Sequence, residues 1–302
     1  MRRQPAWGLQ RAIIRQIVRM ALQHRIVEVW TAVMAVLAMG LSLFQGLEPA
    51  QAADTVEAVD HSALRVCADP NNLPFSDQKG DGFENKIAEL FAQELKVPLR
   101  YVWYPNTVGF LRNTLRARQC DLVMGIVSGA ELVQSTNPYY RSSYVIVTRK
   151  ADNLAIESLS DPKLRNLKIG LTAATPPSDM AVRSGLIANV RPYPLFVDTR
   201  YDAPGKQMVQ DLLQKKIDIA LLWGPIAGYF ARDHAAELTI APLKTQESNL
   251  RLDFYISMGV RPGENKWKNQ VNDLMRQNQT KIAGILHDYG IPTLDNQGNL
   301  MP

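Results

Sequence analysis

The segment from Leu64 to Ile87 constrains this chain more than any other. Leu64-Arg65-Val66-Cys67-Ala68 has the content of a buried strand, Asp69-Pro70-Asn71-Asn72-Leu73-Pro74-Phe75 follows as a turn-rich loop, and Gly82-Phe83-Glu84-Asn85-Lys86-Ile87 opens a helix. A strand that passes into a helix through such a loop is the repeating unit of an open α/β sheet. Such sheets bind ligands beside the carboxyl ends of their strands. A cleft is therefore expected beside Asp69 to Phe75.

The unit repeats. Phe83, Ile87, Leu90, Phe91 and Leu95 recur at helical spacing, Leu99 to Trp103 reads as a strand, and Val108, Leu111 and Leu115 mark a second helix before the apolar strand Asp121 to Val127. Three strands separated by two helices specify a parallel sheet with right-handed crossovers. A β-rich stretch, Tyr139 to Thr148, and a loop from Lys150 to Asn166 come next. The pattern then restarts with a strand Lys168 to Thr172, a helix after Thr175-Pro176-Pro177-Ser178, a strand Leu195 to Asp198, a helix through Met208, Leu212 and Leu213, and a strand Ile217 to Trp223. Leu252 to Val260 returns as a strand, and Trp267, Val271, Leu274, Ile282 and Ile285 mark closing helices.

This order predicts two α/β lobes with a cleft between them: residues 62–149 and 250–302 in lobe one, 150–249 in lobe two. The chain would cross between lobes twice, near Arg149 to Asp152 and near Gln246 to Leu250. Two crossing strands make a hinge that opens and shuts.

Residues 1–52 read as a signal peptide, with six Arg and no Lys, an apolar run from Ala32 to Phe44, and Ala50-Gln51-Ala52 as the cleavage site. The rival is an uncleaved anchor, because Ile26 to Leu47 is long enough to span a bilayer. Cleavage places the mature chain in the periplasm, with membrane contact only during export. The formal charge of +5 is concentrated in this leader; without it 28 basic residues stand against 27 acidic ones. No basic patch argues for nucleic acid. Cys67 and Cys120, an even pair in an oxidising compartment, favour a disulfide; two buried reduced thiols are the alternative.

The residues expected at the strand ends are the candidates for ligand or partner contact. Asp69, Asn71 and Asn72 could hydrogen-bond a ligand and Phe75 could stack on one, or the polar three could serve the turn itself. Trp103 ends the second strand at the same rim, and Tyr139, Tyr140 and Arg141 lie where the chain runs toward the hinge, as core, surface or ligand groups. In lobe two Thr172, Thr175 and Ser178 could hold an anion at a helix start or merely cap it. Trp223 either packs against the other lobe or meets a ligand.

Catalysis finds no support. There is no Gly-x-Ser-x-Gly elbow, neither cysteine has a nearby His, and His24, His61, His234 and His287 have no metal-ligand spacing. Glu84, Glu89 and Glu131 read as surface helix or loop positions. No cofactor is expected.

Five blocks resemble a known family: Cys67 to Ser76, Gly82 to Glu89, Cys120-Asp121-Leu122-Val123-Met124-Gly125, Pro138-Tyr139-Tyr140-Arg141-Ser142, and Trp223 to Phe230. They look like the extracytoplasmic solute-binding proteins that include the amino-acid receptors of ABC transporters. Within that family they resemble the quinoprotein dehydrogenase-associated branch, which includes the J proteins of methanol-oxidation operons. The resemblance implies a type 2 periplasmic-binding-protein fold and a non-enzymatic accessory role. The implied partners are a PQQ-dependent alcohol dehydrogenase and its cytochrome c. Amino-acid receptors of the family clamp the ligand carboxylate with an Arg and hold its ammonium with an Asp; here Leu132 and Trp223 stand at those positions. Free amino acids are therefore unexpected ligands. The alternative is a transport receptor for a small non-amino-acid solute, and a dehydratase-type enzyme is a more distant third.

Overall fold

The computed structural model describes residues 58–244 and 250–301; the leader, most of the second expected crossing and the last residue lie outside them. The described residues form one compact unit. Its first strand, β1 (Leu64–Ala68), pairs in parallel with β4 (Leu99–Trp103) on one side and with β5 (Leu122–Val127) on the other. Two short strands, β2 (Asn71–Asn72) and β3 (Ser76–Asp77), form a hairpin within the loop that follows β1.

The centre of the sheet is one long strand, β6 (Gln134–Arg149). Its first part pairs antiparallel with β11 (Asp253–Val260), which also borders β5. Its last part, from Tyr144 to Thr148, pairs with β9 (Ile219–Trp223), and beyond β9 lie β7 (Ile169–Thr172) and β8 (Val190–Tyr193). A further strand, β10 (Leu238–Pro242), pairs with the same part of β6. β6 thus belongs to both half-sheets and changes partner between Ser143 and Tyr144. That passage comes earlier than the crossing expected near Arg149 to Asp152, because the β-branched run Val145-Ile146-Val147-Thr148 continues the ladder into the second half.

Helix α1 (Phe83–Leu95) covers the first half-sheet and buries Phe83, Ile87 and Phe91, spaced four apart, against Leu64, Val66 and Leu122. Each such side chain contributes roughly 1.5–3 kcal/mol by leaving water. The buried Asn85 fixes the helix entrance: its Oδ1 accepts from the N–H of Gly82 at 3.1 Å and of Asp77 at 2.9 Å. The second expected helix shrinks to the single turn α2 (Phe110–Asn113), and Val108, expected on its apolar face, is exposed. Glycine at 109, with φ at +95°, sets the start of α2 beyond Val108.

In the second half, α3 (Pro176–Arg183), α4 (Pro204–Leu213) and α5 (Gly224–Ala231) pack on the sheet. The strand expected at Leu195 to Asp198 is instead β8, five residues earlier; Leu195 and Phe196 are left exposed in the loop that follows it. The closing helices α6 (Asn265–Gln277) and α7 (Gln279–Asp288) return to the first half, where Val271, Leu274 and Ile282 join its core. No helix among the described residues is long and apolar enough to cross a membrane.

Candidate functional site

The end of β1 delivers Asp69 to the junction of the two half-sheets, where its buried carboxylate is fully engaged. Oδ1 accepts from the N–H of Asn71 at 2.9 Å and from Oγ1 of Thr199 at 2.7 Å, and Oδ2 accepts from the N–H of Asn106 at 2.6 Å. Asn71 adds a bond from Nδ2 to the Thr199 carbonyl at 2.6 Å. Asp69 and Asn71 therefore shape their own turn and tie it to the loop after β8. Ser76 completes the turn by donating from Oγ to the Asp69 carbonyl at 2.9 Å.

Behind this bridge lies a cleft of about 330 Å³. The loop after β1 gives it Asn72 and Phe75, β5 gives Val123 and Met124, and β6 gives Tyr140 and Tyr144. Trp223, at the end of β9, lines it from the second half, with its ring centroid 5.4 Å from that of Tyr144 and 6.0 Å from that of Phe254. Trp223 both packs across the junction and presents itself to the cleft. Among the described residues, no Lys or Arg lines this space.

Glu84, a residue the sequence reading placed on the surface, lines the cleft. It stands in the first turn of α1, and Gly125 of β5 gives it room: a Cβ at that glycine, whose φ is +71°, would lie 2.5 Å from Glu84 Oε1. Although the residue as a whole keeps some exposure, Oε1 is sealed from solvent and completes no hydrogen bond. Burial pushes the carboxyl from its usual 4.5 up to about 8, with the nearby Tyr139 hydroxyl opposing the shift. That hydroxyl also lacks a partner of hydrogen-bonding geometry.

The linkage gives a first prediction. The folded state keeps this proton where the unfolded chain has lost it, so Glu84 weakens stability progressively as pH rises from about 4.5 to about 8. Glu84→Gln is expected to abolish this decline and to be more stable than the parent at pH 8 by a few kcal/mol. Melting curves of both proteins across that range measure it; parallel pH profiles would contradict it.

Of the other sequence candidates, several lie off the cleft. Trp103 stacks on Tyr101, centroids 4.4 Å apart, on the edge strand β4. Arg141 pairs with Asp253 at 2.9 Å and donates from Nη1 to the carbonyls of Asp295 and Asn296, so it anchors the C-terminal segment. Tyr139 and Arg141 both border a separate concavity of about 540 Å³ along that segment. In the second half Thr175 donates from Oγ1 to the Thr172 carbonyl at 2.6 Å, and Ser178 Oγ accepts from the Thr175 N–H at 3.1 Å. Those three residues close the start of α3 on itself. Cys67 and Cys120 are paired, with Cα atoms 5.6 Å apart, and Cys67 touches the cleft.

Residues 64–289 match the model of the bacterial extracellular solute-binding proteins, family 3. The chain belongs to that family. The solute-binding protein is 31% identical over 269 residues to Protein MoxJ of Methylorubrum extorquens, covering 82% of this chain and 89% of that one. The crystal structure of the periplasmic binding protein XoxJ from Methylobacterium extorquens is 41% identical, with a TM-score of 0.66, over 77% of this chain and 100% of that one. MxaJ from Methlophaga aminisulfidivorans, at 24% identity and a TM-score of 0.67, covers 76% of this chain and 100% of that one and shares its fold. The solute-binding protein therefore has the periplasmic-binding-protein fold. Within it, Leu132, the position assigned by resemblance to a carboxylate clamp, is 49% exposed and away from the cleft lining.

Proposed function

We propose that this solute-binding protein is a non-enzymatic periplasmic accessory of a PQQ-dependent alcohol dehydrogenase in methanol oxidation, acting by contact with that enzyme or with an intermediate of its maturation. One observation carries the reading: the cleft lining has aromatic rings and no Lys or Arg among the described residues, so a ligand carboxylate would find no cation there. The likeness to MoxJ and XoxJ supports the methanol-oxidation setting. So does the resemblance of the five sequence blocks to J proteins of methanol-oxidation operons. A protein partner also suits the cleft mouth, where the segment carrying Thr199 exposes Leu195, Phe196 and Tyr201. The dehydrogenase's cytochrome c is the second partner this reading names.

A chromosomal deletion tests it. Loss of most periplasmic quinoprotein dehydrogenase activity, restored by the gene in trans, is the expected result. Unchanged activity would overturn the proposal. A transport receptor for a small non-amino-acid solute is the second reading, favoured by the orphaned carboxyl oxygen of Glu84 in the cleft.

A further inference from the structure

Two carboxyl groups of unequal standing line the cleft. Asp69 has committed both carboxylate oxygens, to Asn71, Thr199 and Asn106. Glu84 has not: its buried Oε1 is without a hydrogen-bond partner. Six aromatic residues, Phe75, Phe110, Tyr140, Tyr144, Trp223 and Phe254, share the space of about 330 Å³ with it. A carboxyl with one buried oxygen lacking a partner is set among aromatic rings, in a lining that has no Lys or Arg among the described residues, and such rings attract positive charge.

We propose that the cleft binds a small organic ammonium ion that carries no carboxylate, with Glu84 as its counter-ion. The inference goes beyond the contact with a dehydrogenase and does not depend on it. A zwitterionic amino acid would leave its carboxylate unpaired against the rings, and a neutral alcohol would leave the charge complementarity unused. The first turn of α1 favours the ionised form of Glu84 once a cation is present to share it.

The groups around Glu84 keep its titration simple. Tyr139 and Tyr140 from β6 and Tyr101 from β4 are phenols that burial pushes upward, so they stay neutral between pH 6 and 8. β5, β9 and β11 contribute only uncharged side chains to the cleft. Binding of an ammonium ion then requires Glu84 to give up its proton to solvent.

Calorimetric titration of the purified protein with benzylamine, benzyl alcohol and phenylalanine tests this. Benzylamine is expected to bind saturably, with affinity rising roughly tenfold from pH 6 to pH 7 and levelling near pH 8, and with close to one proton released at pH 7. Benzyl alcohol and phenylalanine are expected to bind at least roughly tenfold more weakly at pH 8, each lacking one half of the recognition. Glu84→Gln, checked for folding by its melting curve at pH 6, is expected to lose benzylamine binding and its pH slope. Equal binding of benzyl alcohol or phenylalanine would overturn the proposal. So would benzylamine affinity indifferent to pH and to Glu84→Gln, or no binding of benzylamine at all.

Discussion

Asp121→Ala is expected to lower the melting temperature by about 10 °C. Asp121 is almost wholly buried and accepts from Arg65 Nε at 2.7 Å, from Arg65 Nη2 at 2.8 Å and from Arg261 Nη2 at 2.6 Å. Its main chain is engaged too: the carbonyl accepts from Trp267 Nε1 at 2.8 Å, and the N–H donates to the Arg65 carbonyl at 2.9 Å. Arg261 extends the cluster to the Cys120 carbonyl and, at 2.6 Å, to Glu264. These bonds join β1, the start of β5, the end of β11 and helix α6. Removing the carboxylate takes an ion-pair partner from the buried Arg261, which keeps Glu264, and from the half-buried Arg65, and breaking a buried pair costs about 3–5 kcal/mol. For a unit of this size each kcal/mol moves the midpoint by about 2–4 °C. Scanning calorimetry measures it. A shift under about 2 °C would mean that the arginines lose this carboxylate at little cost, contrary to the burial of Asp121 and Arg261.

Reducing or removing the Cys67–Cys120 pair is expected to cost about 4 kcal/mol. The estimate follows from the length of chain the bond closes, a sequence separation of 53. The Cα separation of 5.6 Å falls in the range that a disulfide spans without moving the backbone. Both cysteines sit in a small cluster with Phe110, Leu115, Val123 and Val133, on the side of the first half-sheet that faces α2. α2 is a single turn and supplies little packing of its own, so the covalent link does much of the ordering there. Urea unfolding of the Cys67→Ala/Cys120→Ala variant should show the earlier midpoint without any change in partner or ligand. An unchanged midpoint would mean that the thiols pack equally well apart.

The strands of the first half were legible because their apolar runs are short and bounded by turns; Leu99 to Trp103 forms a strand over the same residues in the structure. The second half was harder to read. Val190-Arg191-Pro192-Tyr193 carries a proline and an arginine, so it looks unlike a strand, yet as β8 it lies at the sheet edge, where both are tolerated. The site was legible in part. Asp69, Asn72, Phe75 and Trp223 converge on the cleft, since each sits at or near a strand end, and Tyr140 joins them from within β6. Arg141 was ambiguous because its partners, Asp253, Asp295 and Asn296, are more than a hundred residues away in sequence. Glu84 was missed because a Glu in the first turn of an amphipathic helix ordinarily faces water. Its one signal was Gly125, a glycine inside the apolar run Leu122-Val123-Met124-Gly125-Ile126-Val127, which marks a place where another group comes close.

We propose a solute-binding fold that offers an amino-acid carboxylate no Lys or Arg in its cleft lining, among the described residues, and that works by contact with a dehydrogenase. Sedimentation of the purified protein with purified quinoprotein dehydrogenase, in the presence and absence of a mixture of the common amino acids, tests this most directly. The account predicts a saturable complex with the dehydrogenase that the amino acids leave unchanged. No complex, together with an amino acid held tightly between the two half-sheets, would contradict it.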